Sequence, residues 1–489
     1  MLTDTQVETL ELLEDYIESD KNMFFLFGYA GTGKTYLVSK FVDIQMNSDK
    51  INKIFVCAPT HKALNVIESY MKNNVEDIDL KKVKFMTIHK MLGFKAQIDT
   101  SKGEKNFVTN TESKFLKQTK KINILIVDEC SMISESISNH IEENLKKRNK
   151  LKILFIGDSA QLPPVGEKIS RTFEISKSEK KYIVQLDEIV RTKSPDIQKI
   201  SKLIRKWNGN KFNDLMEKII KIHNTKSKSF SLFHKKIKNG EIEPKWFSNF
   251  KKNIENNHTP IILTWKNNTS DYYNNLIRSK LHRNDSNNFT KGDLAMFNNF
   301  YKSLSNRNVF YTSDVVVVKK IYYSSLNDID WNDLKKNVKK TSPKQNVRYF
   351  NTLLKKLDLM DYEIDINIMT VKKFEHDSDS IIKTVDIESK NKYLTLIEDI
   401  KKNIEHFYNK TNDDELSELL WKFYYENLVD NFAEINFGYS ITIHKSQGST
   451  FDTVYVDLMD ILDNQNTDEM IKSLYTAVTR AAIKLCFLV

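Results

Sequence analysis

Gly28-Tyr-Ala-Gly-Thr-Gly-Lys-Thr35 decides the fold. The octapeptide matches G-x-x-x-x-G-K-[ST] at every fixed position. The apolar run Met23-Phe-Phe-Leu-Phe27 leads into it, and Tyr36-Leu-Val-Ser-Lys-Phe-Val42 continues with helical character. A glycine-rich turn alone arises easily by chance, but a full match between a strand and a helix does not. In that setting the glycines let the backbone curl, so that N–H groups and a helix N-terminus face the phosphates of a nucleotide. Gly31, Thr32 and Gly33 supply the curl, Lys34 reaches for the β- and γ-phosphates, and Thr35 offers a hydroxyl to Mg2+.

Similar apolar runs recur on either side of this turn. Ile54-Phe-Val-Cys57, Ile122-Asn-Ile-Leu-Ile-Val127 and Ile153-Leu-Phe-Ile156 are each four to six residues long and stop at polar or turn residues. Buried parallel strands read this way. A helical stretch at 61–72, with Leu64, Ile67 and Met71 on one face, fits between two of them. The alternation predicts a doubly wound α/β layer. A polar segment at 96–111, turning at Ser101-Lys-Gly103, predicts an inserted β-hairpin. A second α/β layer opens at Ile261-Ile-Leu-Thr264 with a helix over 270–280, and is interrupted over about 290–434. Strands are expected there at 309–323 and 362–371, and helix over 391–428. The α/β pattern is expected to resume at Ile435 and to close with Thr453-Val-Tyr-Val456 and 485–489. The basic stretch 335–356 predicts a solvated face or loop.

The 489 residues are 40% hydrophobic and 11% aromatic, enough for packed cores and too much for a disordered tail. The length is that of about three domains. A net charge of +10 points faintly to a polyanionic partner. Of 75 Lys and Arg residues only nine are Arg, so an Arg at a chemically suggestive position stands out. Three dispersed Cys exclude a disulfide framework and a Cys-based zinc site, and fit a reducing compartment. No apolar run approaches the ~20 residues of a membrane span. The opening residues lack the basic and apolar regions of a signal peptide. A soluble intracellular protein is expected.

Leu125-Ile-Val-Asp-Glu-Cys-Ser131 supplies the second part of a nucleotidase. Asp128 suits a hydrated Mg2+ and Glu129 suits polarising the attacking water. Such acids at a strand end otherwise serve as helix caps, and the P-loop is what favours chemistry. In Phe155-Ile-Gly-Asp-Ser-Ala-Gln-Leu-Pro-Pro-Val165, Gln161 is a neutral amide able to sense a γ-phosphate without competing for the metal.

With these motifs the chain resembles the superfamily-one DNA helicases of the 5′→3′ branch, and is similar to their Dda-, RecD- and Pif-type members. The resemblance runs from residue 3 to 489 in motif order. It implies two RecA-like motor domains: 1–89 with 120–195, and 196–289 with 435–489. A strand-separating pin would occupy 90–119, and an SH3-like barrel with a helical insertion 290–434, beginning at Lys291-Gly-Asp-Leu-Ala-Met296. Thr3-Asp-Thr-Gln6 resembles the Q motif, with Gln6 on the adenine edge. Cys57-Ala-Pro-Thr-His-Lys-Ala-Leu64 resembles the motif in which Thr60 and His61 touch the DNA strand, and Thr87-Ile-His89 places His89 beside them. Leu186-Asp-Glu-Ile-Val-Arg191 implies that Arg191 approaches the γ-phosphate. Tyr439-Ser-Ile-Thr-Ile-His-Lys-Ser-Gln-Gly448 implies DNA contacts by Thr442 and His444 and a nucleotide contact at Gly448. Tyr475-Thr-Ala-Val-Thr-Arg480 implies a second arginine finger at Arg480, and Pro163 joins the DNA-contacting set. Arg fits phosphoryl transfer because its planar fork stays ionised and binds two oxygens. At the pin, Phe107 is the expected wedge, with Phe94 as the competing aromatic and core packing as the plain alternative.

The expected activity is ATP- and Mg2+-dependent translocation 5′→3′ on single-stranded DNA with unwinding of duplex. Three alternatives remain at this point: a strand translocase that displaces proteins and hardly unwinds, a catalytically silent DNA-binding subunit, and an RNA substrate. The expected partners are single-stranded and forked DNA, together with single-strand-binding or replisome proteins. A monomer without membrane association is expected, working in DNA replication or repair in the cytoplasm of a bacterial or phage-infected cell.

Overall fold

The computed structural model describes residues 2–109, 120–146, 150–164, 166–178, 181–188, 194–225, 227–236, 244–256, 258, 260–282, 288–305, 308–326, 329–338, 342–360, 362–373 and 378–489. The chain forms two compact units, one of residues 1–94, 109–273 and 440–489, the other of residues 95–108 and 274–439.

The first unit holds two parallel sheets. In spatial order the first runs Val83–Thr87, Ile51–Ala58, Ile122–Val127, Leu151–Gly157, Met23–Gly28 and Ile183–Leu186. Neighbouring strands pair in parallel throughout this order. The P-loop strand is buried from Phe24 to Gly28, and the acidic strand from Asn123 to Val127. Helices on both faces explain that continuous burial. One face packs on Leu13, Leu37, Phe41 and Ile67, the other on Ile88, Ile137 and Phe173. Each large apolar side chain so buried contributes about 1.5–3 kcal/mol. Because all the strands run one way, the turns after Gly28, Ala58, Thr87, Val127 and Gly157 gather along a single edge, as ligand-binding turns do in open α/β sheets. The second sheet runs Ser440–Thr442, Pro260–Thr264, Phe451–Asp457, Ala481–Leu488 and Phe230–Phe233, again parallel. We call the first sheet with its helices lobe 1 and the second lobe 2.

The second unit is built on an antiparallel sheet in the order Ser380–Val385, Ile364–Lys373, Val315–Leu326, Leu294–Phe297 and Ile435–Phe437. Two sequence expectations change here. Ile435–Phe437, expected to reopen the α/β pattern, pairs antiparallel with Leu294–Phe297 instead. Phe437 packs on Phe289 at 4.6 Å between ring centroids and under the Arg278 guanidinium at 4.5 Å. A Cβ on the next residue, Gly438, would lie 3.2 Å from the Ala295 backbone, so the chain can close on this sheet before crossing to lobe 2 at Ser440. The strand expected over 309–323 is broken. Asp314 accepts the Tyr311 N–H, Ser313 takes φ 68°, and Val309–Phe310 pairs with Tyr301–Lys302. The helical part comprises Lys390–Thr411 and Asp414–Tyr424, separated by Asn412 in the left-handed region. Much of the basic 335–356 stretch lies on the helix Lys344–Asp358, which buries Phe350, Leu353, Leu354 and Leu357 and leaves its lysines exposed.

Candidate nucleotide cleft and strand-binding surface

The P-loop is shaped before any ligand arrives. Gly31 and Gly33 take φ values of 82° and 76°, where side chains are disfavoured. Gly28 is required for space, since a Cβ there would lie 2.8 Å from both the Leu186 carbonyl oxygen and Thr32 Oγ1. The helix Lys34–Met46 starts with no side chain capping its first N–H groups. Lys34 Nζ donates to the Gly28 and Tyr29 carbonyls at 2.8 and 2.9 Å, which holds its ammonium over the loop. Gln6 is buried behind it. Its Nε2 donates to the Thr32 carbonyl at 2.9 Å and its Oε1 accepts the Thr3 N–H at 3.1 Å, buckling the helix Asp4–Glu18 to the P-loop.

On the acidic strand, Asp128 N–H bonds the Cys57 carbonyl at 2.8 Å, and the Glu129 N–H bonds Asp128 Oδ1 at 2.9 Å. Glu129 has left-handed geometry, φ 52° and ψ 43°, so the chain turns sharply between the two carboxylates. Cys130 behind them is fully buried. Burial, reinforced by the Asp128 and Glu129 charges, pushes its thiol up well above the ordinary range, while Lys34 acts in the opposite sense. Lys34, Asp128 and Glu129 are thus near enough to one sulfur for their charges to act on it. Gly157 makes room for that sulfur, since a Cβ there would lie 2.6 Å from Cys130 Sγ.

Gln161 is 6% exposed, in a turn where its N–H bonds the Asp158 carbonyl and the Ala160 N–H bonds Asp158 Oδ1, both at 3.1 Å. Lobe 2 reaches this turn, with Gln447 Nε2 donating to the Leu162 carbonyl at 3.3 Å. Gly448, at φ 72°, sits over Ala63 of lobe 1. Arg480 is 5% exposed and donates to the Thr476 and Ser449 carbonyls at 3.1 and 3.2 Å. Arg191 lies outside the described residues.

The residues expected to touch a strand follow the same sheet edges. Thr60 caps the helix His61–Asn74 by accepting the Ala63 N–H, and Thr87 caps the short helix carrying His89. Burial, then the Lys90 charge, lowers the His61 pKa, and burial, then the His61 charge, lowers that of His89. His89 therefore lies within the field of the His61 ring. In lobe 2, Thr442 ends its strand opposite Thr264, and His444 follows it. Burial lowers the His444 pKa against the opposing pull of Glu469, 4.0 Å away. Pro163 lies half-buried in the turn after Gln161.

The hairpin comprises Phe94–Ile98 and Lys105–Thr109. Phe107 lies on its second strand, with its side chain outside the described set. Phe94 packs on His89 and His140 with centroids 5.7 and 5.1 Å apart, so it belongs to the hairpin's root. The turn is fastened to the helical insertion by side chains for which the sequence reading assigned no role. Trp421 Nε1 donates to the Thr100 carbonyl at 2.9 Å, Tyr425 donates to the Gly103 carbonyl, and Lys105 pairs with Asp430 at 2.9 Å. Gly103, at φ 67°, lies flat on the Trp421 ring, where any Cβ would collide with it.

Comparisons with known proteins agree with this geometry. Residues 1–226 match an AAA domain family, and residues 437–488 match the UvrD-like helicase C-terminal domain. An uncharacterised protein of Acanthamoeba polyphaga mimivirus is 42% identical over 100% of this chain and 99% of its own length. The ATP-dependent DNA helicase dda of phage T4 is 27% identical over 44% of this chain and 45% of its own length. Among solved structures, a Pif1 helicase at forked double-stranded DNA superposes with a TM-score of 0.50, at 17% identity, covering 100% of this chain and 92% of that one. The chain thus carries an AAA domain and a UvrD-like helicase C-terminal domain, and is similar to the RecD, Dda and Pif1 helicases. Its fold is that of two RecA-like motor domains. The relative that aligns with the whole of this chain comes from a virus, which is compatible with the infected-cell setting expected from the sequence. Among the described residues no helix is long and apolar enough to cross a membrane.

Proposed function

We propose that this protein is an ATP-dependent DNA helicase that moves 5′→3′ along single-stranded DNA and parts the duplex ahead of it with the hairpin. The observation that carries the reading is the cleft. P-loop, paired carboxylates and Gln161 line one sheet edge, and Arg480 and Gln447 come from the other lobe. The histidines and threonines expected to grip a strand lie along the same two edges. Lys34 would bind the β- and γ-phosphates, Glu129 would take the proton of the attacking water, and Arg480, with Arg191, would neutralise charge on the transferred group. Gln6 would read adenine with the amide hydrogen it does not donate to Thr32.

The donor set suits magnesium. Among the described residues no three His, Cys, Asp or Glu gather into a cage. A hydroxyl from Thr35 and a carboxylate from Asp128, completed by phosphate oxygens and water, are what Mg2+ takes in such sites. When bound, the ion supplies charge neutralisation at the phosphates. The 5′→3′ direction is supported by the resemblance to the Dda, RecD and Pif1 helicases, and the setting we favour is DNA replication or repair in a virus-infected cell.

Matched duplexes with a 5′ or a 3′ single-stranded tail test the proposal. ATP-dependent unwinding of the 5′-tailed substrate alone is expected, and preference for the 3′ tail would falsify the direction. Displacement of streptavidin from single strands without duplex unwinding would instead support the protein-displacing motor.

A further inference from the structure

A buried ion pair spans the cleft. Arg205 lies near the end of the helix Pro195–Lys206, which packs on the helix Thr467–Val478 of lobe 2. Its guanidinium pairs with Asp158, the residue after Gly157 in lobe 1, with side chains 14% and 1% exposed. The Tyr475 hydroxyl completes the cluster. Its one proton goes to Asp158 Oδ2 at 2.8 Å, and its two lone pairs receive Arg205 Nη1 at 3.2 Å and the Ala30 N–H of the P-loop at 3.3 Å. That is the full bonding capacity of a phenol. Burial and the Asp158 charge push the Tyr475 phenol up, so it remains a donor at neutral pH. The flat face of Arg205 lies on the Tyr29 ring, 4.0 Å from its centroid.

We propose that Arg205 is a positioning residue which, through Asp158 and the Tyr475 hydroxyl, ties the movement of lobe 2 to the turn that carries Gln161. Three physical points support it. First, a buried ion pair is a poor way to gain stability, because desolvating both charges offsets their attraction and an apolar pair of equal volume does as well. Such a pair earns its place more readily as a register or switching device. Second, Asp158 builds the Gln161 turn by accepting the Ala160 N–H, so a pull on this carboxylate is a pull on Gln161. Third, Tyr475 stands five residues before Arg480, on the helix that leads to it. A shift of that helix moves Arg480, Tyr475 and Arg205 together.

The inference rests on the proposed motor function, and the test separates the two. Full-length parent, Arg205→Gln, Arg205→Lys, Tyr475→Phe and the Arg205→Gln/Tyr475→Phe double variant are compared. Rates are expressed per folded molecule, with KM for ATP, kcat with and without single-stranded DNA, and ATP consumed per nucleotide travelled. Loss of a charge-assisted bond should lower DNA-stimulated kcat about tenfold in Tyr475→Phe and Arg205→Gln. KM for ATP should change by less than about threefold, and more ATP should be spent per nucleotide. Arg205→Lys, which keeps charge without the fork, should recover part of the loss. The double variant should be no worse than the poorer single, as members of one bonded chain are. Parental kcat and coupling in a folded Tyr475→Phe protein overturn the proposal. So does a loss that follows only the fraction of molecules folded. A parent without DNA-stimulated ATPase overturns the functional reading, and the latch with it.

Discussion

Glu129 holds a backbone conformation that costs a non-glycine residue about 1–2 kcal/mol. The turn places its carboxylate beside Asp128 without making it a second copy of Asp128, because the two leave the strand in different directions. Glu129→Gln keeps the volume and the turn but removes the proton acceptor. DNA-stimulated ATPase should fall by about 10²–10⁴-fold while oligonucleotide affinity stays within about twofold. Steady-state turnover beside fluorescence-anisotropy titration checks both. Lys34→Ala should abolish turnover through loss of the phosphate contact, again with DNA binding retained. Normal ATPase in either variant would remove the catalytic assignment. Neither the left-handed geometry of Glu129 nor the need for Gly157 against the Cys130 sulfur could be read from the sequence. Both arise from a strand-end crossing that only the assembled sheet creates.

At the scale of elements the hairpin is the instructive case. Its sequence announces a turn at Ser101-Lys-Gly103, but an isolated two-stranded hairpin is marginal in water. What holds it is distant in sequence, namely Trp421, Tyr425 and Asp430 on the helical insertion. Gly103→Ala adds a methyl group against the Trp421 ring at a positive φ. It should loosen the hairpin by about 1–3 kcal/mol. Unwinding of a 5′-tailed duplex should slow more than translocation along a single strand, measured as arrival at a fluorescent 5′- or 3′-end label. Equal slowing of both rates would show that the hairpin's hold on the insertion has no part in strand separation. The aromatic run at 421–425 was visible in the sequence as part of a helix. Its partner was not, because side-chain spacing tells which face of a helix is apolar and not what covers it.

For the whole molecule, three histidines on the edges proposed to bind the strand, His61 exposed and His89 and His444 half-buried, set a pH response. His61, His89 and His444 all have pKa values below the ordinary 6.5, with burial as the leading cause. The unfolded chain therefore takes up these protons first as pH falls. Between 6.5 and the lower folded values, stability declines with falling pH, whereas above 6.5 these residues give no slope. DNA phosphates beside the rings should raise their pKa again. Oligonucleotide binding near pH 6 should then take up protons, measured by calorimetry in buffers of different ionisation enthalpy. Bound DNA should also reduce the loss of thermal stability on going from pH 8 to 5.5. Absence of proton uptake would place all three rings away from the phosphates. Affinity should fall steeply with salt, with a slope of about −0.7 per phosphate neutralised on a single strand.

The sequence by itself determined the architecture of the motor and singled out the groups proposed to carry its chemistry. Gly28 to Thr35, Asp128-Glu129 and Gln161 act through backbone a few residues long, and apolar runs ending at such turns require parallel strands that present them on one edge. The tertiary structure alone decided which of these groups meet others across the cleft. Tyr475 and Asp158 are 317 residues apart in the chain and 2.8 Å apart in space. Arg205, one of only nine arginines, carries no local signature at all. Its position is fixed by the packing of two helices, and packing depends on volume and direction that a linear pattern does not encode. The same limit explains Ile435–Phe437. A short apolar run specifies burial, but its pairing partner is chosen by the neighbours it can close against.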